Sequence, residues 1–329
     1  MKKVLLILMC CMAIQSVHAQ DTPKWADKAK KAVFSIVTYD KENKIKNTGN
    51  GFYIDNNGTA LSDYSLFEDA ERAVIINADG KELPVTRIAG ANSMYDVIKF
   101  RTETEKKITA LKVATQPAAV GETVYLLPYS TQKAATCQTG KVTQVDTIAD
   151  KAYYYTLTMT TSDKTVSCPI MNANGEVLGL IQKSASEEDK ESYAIGASYG
   201  ESLSISPLSA NDINLNKIGI AKALPETEDQ ALVYLYMSSS QMDAKNYLAT
   251  LNDFLQAYPN STEGYTRRAG YYMNIGDDEH NALAEADLKK AMDVSGNKTE
   301  GQYNVAKIIY SYCINLEEGK KAYGVTTKH

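Results

Sequence analysis

The chain has 329 residues, with 35 Lys and Arg against 40 Asp and Glu, and a formal charge of −5. Such an acidic balance argues against a nucleic-acid partner. Five cysteines and three histidines, with no Cys/His cluster at ligand spacing, argue against a disulfide-built scaffold and against a structural metal.

The chain opens MKKVLLILMCCMAIQSVHAQ. Lys2 and Lys3 form a basic start, Val4 to Ile14 an apolar run, and Val17-His18-Ala19 a small-residue cleavage site, so residues 1–19 are predicted to be a secretory signal peptide. The run is too short and wrongly flanked to span a bilayer, and nothing later reaches the necessary length. Cys10 and Cys11 follow Met9 and Cys10 rather than a small residue, which speaks against a lipid-modified cysteine. The expected product is an exported protein of the periplasm or cell envelope with no integral membrane span. Its cysteines would be Cys137, Cys168 and Cys313, enough for one intramolecular disulfide at most.

Trp25 to Lys31 reads as a short leading helix. From Ala32 to Tyr199 short β-rich runs alternate with turns: Ala32–Tyr39, Gly51–Ile54, Ala73–Ile76, Val97–Phe100, Thr123–Leu127, Tyr153–Thr161 and Val177–Ile181. Asn57-Gly58, Asp79-Gly80 and Asn174-Gly175 lie between apolar runs, the strongest local signal for hairpins. Many short strands with regular turns predict an all-β barrel or sandwich over residues 20–200. Residues 201–226 read as a linker. Tyr153-Tyr154-Tyr155 reads as a strand of alternating exposure, with an aromatic peptide-docking face as the alternative. Asp55-Asn56-Asn57-Gly58 is a turn rather than a calcium loop, lacking spaced carboxylates. The charged run 186–191 reads as a solvated hairpin loop.

From residue 227 to about 316 the pattern is helical, followed by a tail at 317–329. Thr227 and Gln230 form a capping box. Tyr247, Leu251, Phe254 and Leu255 share one helical face, ended by Pro259. Further helices are predicted from Glu263 to Asn274, from Asn281 to Met292, and from Glu300 onward. Leu251 and Leu288, Phe254 and Ala291, Gly264 and Gly301, Ala269 and Ala306, and Tyr272 and Ile309 stand 37 residues apart. With Tyr265, Ala269, Tyr272, Ala284, Leu288 and Ala291, the stretch resembles tetratricopeptide repeats, whose period is about 34. The extra residues are expected in the loop IGDDEHN, and Arg268-Ala269 replaces the motif's Leu-Gly. An unrelated helical bundle is the alternative.

The β region resembles trypsin-like serine proteases of the bacterial high-temperature-requirement type. The blocks that carry the resemblance are TGNGFYIDNNGTALSDYSLFEDA (48–70), ADGKELPVTRIAGANSMYDVIKF (78–100), GETVYLLPYS with QTGKVTQV (121–130, 138–145) and VSCPIMNANGEVLGLI (166–181), with SYAIGASY (192–199) as a last strand. The resemblance implies a double six-stranded β-barrel, so the fold class expected is β then α: two barrels followed by tetratricopeptide-like helical hairpins.

The same resemblance places the catalytic triad on Ser65, Asp96 and Val166, where the family has His, Asp and Ser. Lys164, Thr165 and Val166 occupy the oxyanion loop, and Ser167-Cys168 replaces two glycines. Serine needs a base of near-neutral pKa, and residues 20–279 contain no histidine. Val166 and Lys164 resist the positive φ that glycines supply, so the loop is expected to lose its oxyanion hole. Ser167 is the alternative nucleophile, alone or with Lys164, and Cys168 a remote one. Asp96 with Ser65 is expected as a retained buried hydrogen bond. Cys137 and Cys168 are candidates for a disulfide, a buried free thiol being equally consistent with the sequence. The expectation is a cofactor-free pseudoprotease that binds a peptide or protein; the alternative is an active envelope serine endopeptidase using Ser167.

Overall fold

A computed structural model describes residues 22–104, 108–149, 152–182 and 190–315. The expected signal peptide, the tail at 317–329 and most of the 186–191 run lie outside the described residues.

The first barrel grows from alternation. In β1 (Val33–Tyr39) Phe34, Ile36 and Thr38 are buried, while Ser35, Val37 and Tyr39 are only partly so. β2 (Ile45–Tyr53) pairs with it along the full length, from Val33 opposite Phe52 to Tyr39 opposite Ile45. It therefore begins well before the predicted Gly51, because its polar first half is held by backbone pairing rather than by burial. Gly51 sits where a Cβ would meet the Leu61 carbonyl oxygen at 2.7 Å. β3 (Thr59–Ser62), β4 (Arg72–Ile76), β5 (Glu82–Asn92) and β6 (Val97–Thr102) close the barrel in the order β1-β2-β3-β6-β5-β4. Phe34, Tyr53, Phe67 and Phe100 fill it, with ring centroids 4.7 to 6.2 Å apart.

The second barrel runs β10-β11-β12-β9-β8-β7. Its strands are β7 (Thr123–Leu126), β8 (Gln138–Ala149), β9 (Ala152–Leu157), β10 (Pro169–Met171), β11 (Val177–Ile181) and β12 (Ser192–Gly196). The predicted turns hold: Gly58, Gly80 and Gly175 have φ of 95°, 77° and 76°. Two predicted strands are too long. β9 stops at Leu157, and the segment SYAIGASY turns helical at Ala197.

A helix α1 (Ala26–Ala29) with a tight turn at Lys30–Ala32 leads into β1. Trp25 straps it to the second barrel, its indole N–H donating to the Ala173 carbonyl at 3.0 Å. Helix α2 (Ala197–Ser202) wedges against the first barrel, where the absence of a side chain on Gly200 lets Leu61 and Val97 close in.

Residues 201–226, read from sequence as a linker, are packed. They form a 3₁₀ turn (Pro207–Asn211) and a short helix α3 (Ile213–Asn216), and they bury Ile205, Ala210, Leu215, Ile218 and Ile220. The Ile88 amide donates to Ala221 O and the Ala223 amide to Ile88 O, adding a parallel bridge at a bulge in β5.

The helical region follows as α4 (Glu228–Ser238), α5 (Ala244–Ala257), α6 (Thr262–Ile275), α7 (Asp278–Val294) and α8 (Lys298–Asn315). Thr227 caps α4 by accepting the Gln230 amide at 3.4 Å, as its position in the sequence predicts. Tyr234 of α4 is buried in the same apolar cluster as the barrels. The loop between α6 and α7 is shorter than IGDDEHN. Gly276, at φ 78°, ends α6, and Asp277 caps α7 by accepting the His280 amide. Leu251, Phe254 and Gly264 are buried, and so are Leu288, Ala291 and Gly301. The 37-residue correspondence fails at Ala306, which is exposed while Val305 is buried.

Candidate functional site

A cleft of about 460 Å³ opens between the barrels, with Gly49, Asp63, Ser65 and Asp96 on one side and Asp163 and Val166 on the other. All three positions to which the sequence assigned the triad line it. Asp63 follows β3 and starts a single 3₁₀ turn, Tyr64–Leu66, which presents Ser65 to solvent. Asp96 lies in the β5–β6 turn at φ 48°, a left-handed conformation that Asp tolerates better than most residues. From there its Oδ1 accepts the Ser65 amide at 2.7 Å and its Oδ2 accepts the Ser65 hydroxyl at 3.0 Å. The bond expected between these residues is present, but it is not buried, because Ser65 is exposed.

The opposite wall is the turn at residues 162–168. The Thr165 and Val166 amides both donate to Ser162 O, at 2.8 and 3.2 Å, and the Cys168 amide donates to Thr165 O. The Thr165 hydroxyl accepts the Ser162 amide and completes a closed local unit. The whole turn is anchored from the first barrel: Asn50 Nδ2 donates to Lys164 O at 3.1 Å and to Val166 O at 2.9 Å. Asn50 is itself fixed, since its carbonyl accepts the Ser62 hydroxyl at 2.6 Å.

Ser167 absorbs the positive φ of this turn, at 64°. It is fully buried, its amide donates to Ile181 O, and its hydroxyl lies beside the Asp63 carboxyl. The alternative nucleophile is thus sealed from solvent. Cys168 is also fully buried, and burial pushes its thiol up to about 12, far from the thiolate form. Of the two alternatives left open for Cys137 and Cys168, the structure has the free thiols. Cys168 Sγ is engaged with the Tyr129 backbone inside the second barrel. Cys137 lies beside Asp27, and burial with that charge raises it to about 11.

Asp63 and Asn50 were not singled out from sequence. Asp63 is 3% exposed. Its carboxyl is pushed well above the usual range by burial, and further by the Asp96 charge, with the Ser167 hydroxyl pulling weakly the other way. No signal in the sequence marks it beyond an acid directly after an apolar strand, TALSD.

Of the remaining candidates, Tyr155 is buried while Tyr153 and Tyr154 are both partly so, and the strict alternation expected of this run is not seen. Tyr154 stacks on Tyr193 and donates its hydroxyl to Gln182 Oε1 at 2.7 Å. Asp55 Oδ1 accepts the Asn57 and Thr59 amides, a turn role. Among the described residues no group of three or more His, Cys, Asp or Glu is placed to hold a metal, and no helix is long and apolar enough to cross a membrane.

Residues 49–180 match the family model of the trypsin-like peptidase domain, a stretch that runs from β2 into β11 and covers most of both barrels. Two closed six-stranded barrels together with this match fit the chymotrypsin fold. No curated protein matches the chain.

Proposed function

We propose that the chain is a non-catalytic member of this peptidase architecture, a pseudoprotease that binds a peptide or protein. Its C-terminal helices act as tetratricopeptide-like hairpins, and the leader at residues 1–19 directs it to the periplasm or cell envelope. The observation that carries the reading is the double donation of the Thr165 and Val166 amides to Ser162 O. Hydrolysis of an amide needs N–H groups aimed at the developing oxyanion, and loss of one such donor costs about 10²–10³ in rate. Here the amide at the nucleophile position, that of Val166, serves an internal carbonyl instead, beside the amide of its neighbour Thr165. The assigned nucleophile is Val166, and a seryl hydroxyl, Ser65, occupies the position of the base. A hydroxyl neither accepts a proton near neutrality nor passes it to a leaving amine.

What such a site retains is shape and hydrogen-bonding capacity. The cleft keeps a rigid wall on each side, held by the Asp96 grip on Ser65 and the Asn50 grip on the 162–168 turn. Pre-formed clefts of this size suit extended segments presenting one or two side chains.

The test is reaction of the purified chain with a fluorophosphonate serine probe, run beside a casein digest. We expect no covalent label and no cleavage. Labelling that disappears in Ser167→Ala would overturn the proposal in favour of an active serine endopeptidase.

A further inference from the structure

We infer that strand β8 pairs with the β8 of a second copy of this chain, edge to edge and antiparallel, about a two-fold axis at Val145. The second barrels of the two copies then share one sheet. This pairing is independent of the peptide-binding reading above.

β8 has a free edge. It is twelve residues long, while its neighbour β7 has four. β7 covers only Gln138 to Lys141. The segment before it adds one residue, as the Gly121 amide donates to Val142 O and the Val142 amide to Glu122 O. Beyond that point β8 pairs with β9 alone, from Gln144 opposite Thr156 to Ala149 opposite Ala152. Among the described residues, no backbone group reaches its other edge there. The far side of the hairpin is closed, since β9 pairs with β12. An open strand edge is a template for another strand, and folded chains commonly blunt it with Lys, Pro or bulges. Residues 143–149 contain neither Lys nor Pro, and the bulges lie at either end of a regular run, Gln144–Thr147.

What the edge presents matches itself. Side chains alternate between faces along a strand, and directly opposite residues of an antiparallel pair share a face, so the dyad must fall on a residue. On Asp146 it would set two carboxylates face to face, and like charges directly opposite are destabilising. On Gln144 it would drive each Asp146 against Val142, whose edge is already taken. On Thr147 it would leave each Asp146 opposite Ile148. On Val145 it places Gln144 of each copy opposite Asp146 of the other, at two symmetric positions, with Val145 against Val145 between them. Within one copy Gln144 Nε2 donates to Asp146 Oδ1 at 3.0 Å and to Oδ2 at 2.8 Å, so both side chains lie on one exposed face. The same amide–carboxylate pair re-forms across the dyad. Val120, exposed beside Gly121, offers apolar surface where the incoming strand ends. The match of Gln144 to Asp146 is what selects a second copy over an unrelated strand.

The test is sedimentation velocity of the purified full chain from about 1 to 300 μM, an edge this short being suited to reversible association. We expect a monomer–dimer equilibrium. Gln144→Glu sets like charges opposite each other at both positions and should weaken the dimer about 10-fold, while Gln144→Lys should tighten it by a similar factor. Gln144 is exposed, so neither variant should alter the Tm of the dilute chain. The register has its own readout. Chains carrying Gln144→Cys and chains carrying Asp146→Cys, mixed under mild oxidation, should form disulfide-linked pairs faster than either does alone.

A chain that stays monomeric at the highest concentration overturns the inference, whether or not its edge captures an unrelated peptide. A dimer whose strength is blind to both Gln144 variants overturns it too, as do mixed cysteine chains that link no faster than each alone.

Discussion

Asp96 accepts both the amide and the hydroxyl of Ser65, at 2.7 and 3.0 Å, so a single carboxylate fixes the backbone and the side chain of the residue that stands in the histidine position. In a working triad the acid orients an imidazole; here it orients a seryl hydroxyl. The acid position therefore persists as a structural clamp on the 3₁₀ turn. Across the cleft, the turn at 162–168 is closed by its own hydrogen bonds. On the proposed non-catalytic reading, the two walls are independent obstacles to catalysis.

That independence predicts the outcome of a restoration experiment. Ser65→His with Val166→Ser would return both side chains, but the amides of residues 165 and 166 would still donate to Ser162 O. The oxyanion donors of such a site are the amides of the nucleophile and of the residue two before it, Val166 and Lys164, so with the Val166 amide withheld about 10²–10³ in rate is missing. The double variant should show no fluorophosphonate labelling above the natural chain over a period in which an active serine protease is fully labelled. Rapid labelling would mean that the turn rearranges without help.

Asn50 ties the barrels together through one side-chain amide nitrogen donating to two carbonyls. Asn50→Ala leaves Lys164 O and Val166 O without that donor in a part-buried setting. A cost of about 1–3 kcal/mol is expected in chemical denaturation. The more specific readout is hydrogen exchange, where the Thr165 and Val166 amides should exchange faster while those of β5 and β6 stay protected. Uniform acceleration across both barrels would contradict a local anchoring role.

Asp63 makes stability depend on pH in a direction opposite to that of most carboxylates. Its folded pKa is raised above the unfolded value, so between the two the folded chain holds a proton that the unfolded chain has lost. Its contribution is complete below the unfolded pKa of about 3.9 and is lost as pH rises through the folded pKa. The groups known to face it are Asp96, whose charge raises it, the Ser167 hydroxyl, and Cys168, a thiol held neutral by burial. Asp63→Asn removes the titration. From pH 4 upward the variant should gain on the natural chain by at most about 1.4 kcal/mol per pH unit, seen as a widening difference in Tm. A constant difference from pH 4 to 8 would show that Asp63 does not titrate in this range.

The barrels were legible because their signals are local. Asn57-Gly58, Asp79-Gly80 and Asn174-Gly175 specify hairpins by φ alone, and β1 declares itself by alternation. The assigned triad positions do converge, since counting from Gly58 and Pro169 needs only the strand frame. What escaped the sequence depends on long-range contacts. The packing of residues 201–226 rests on backbone bonds to Ile88 and Ala70, which leave no periodic trace. The burial of Asp63 and Ser167 depends on how the two barrels meet. Ala306 was misplaced because a fixed offset of 37 carries one register through α8, whereas the helix turns Val305 inward instead.

Two arginine–aspartate pairs that involve the C-terminal helices should differ in energy. Arg87 of β5 reaches Asp253 of α5, Nε to Oδ2 at 2.9 Å, with both side chains 31% exposed. Arg268 of α6 meets Asp287 of α7 through two parallel bonds of 2.7 Å, and the Asp287 side chain is only 8% exposed. Partial exposure screens the first pair, so Asp253→Ala should cost no more than about 1 kcal/mol. Removing Asp287 strands a guanidinium in a poorly solvated seam between two helices, and a cost of about 3 kcal/mol is expected. The two substitutions should also differ in reach. Asp253→Ala unfastens α5 from the barrel, so limited proteolysis should speed up in the segment before α5 with little change in Tm. Asp287→Ala should lower the Tm of the helical region itself. Equal costs for the two variants in denaturant titrations would show that burial of Asp287 does not set the strength of its pair.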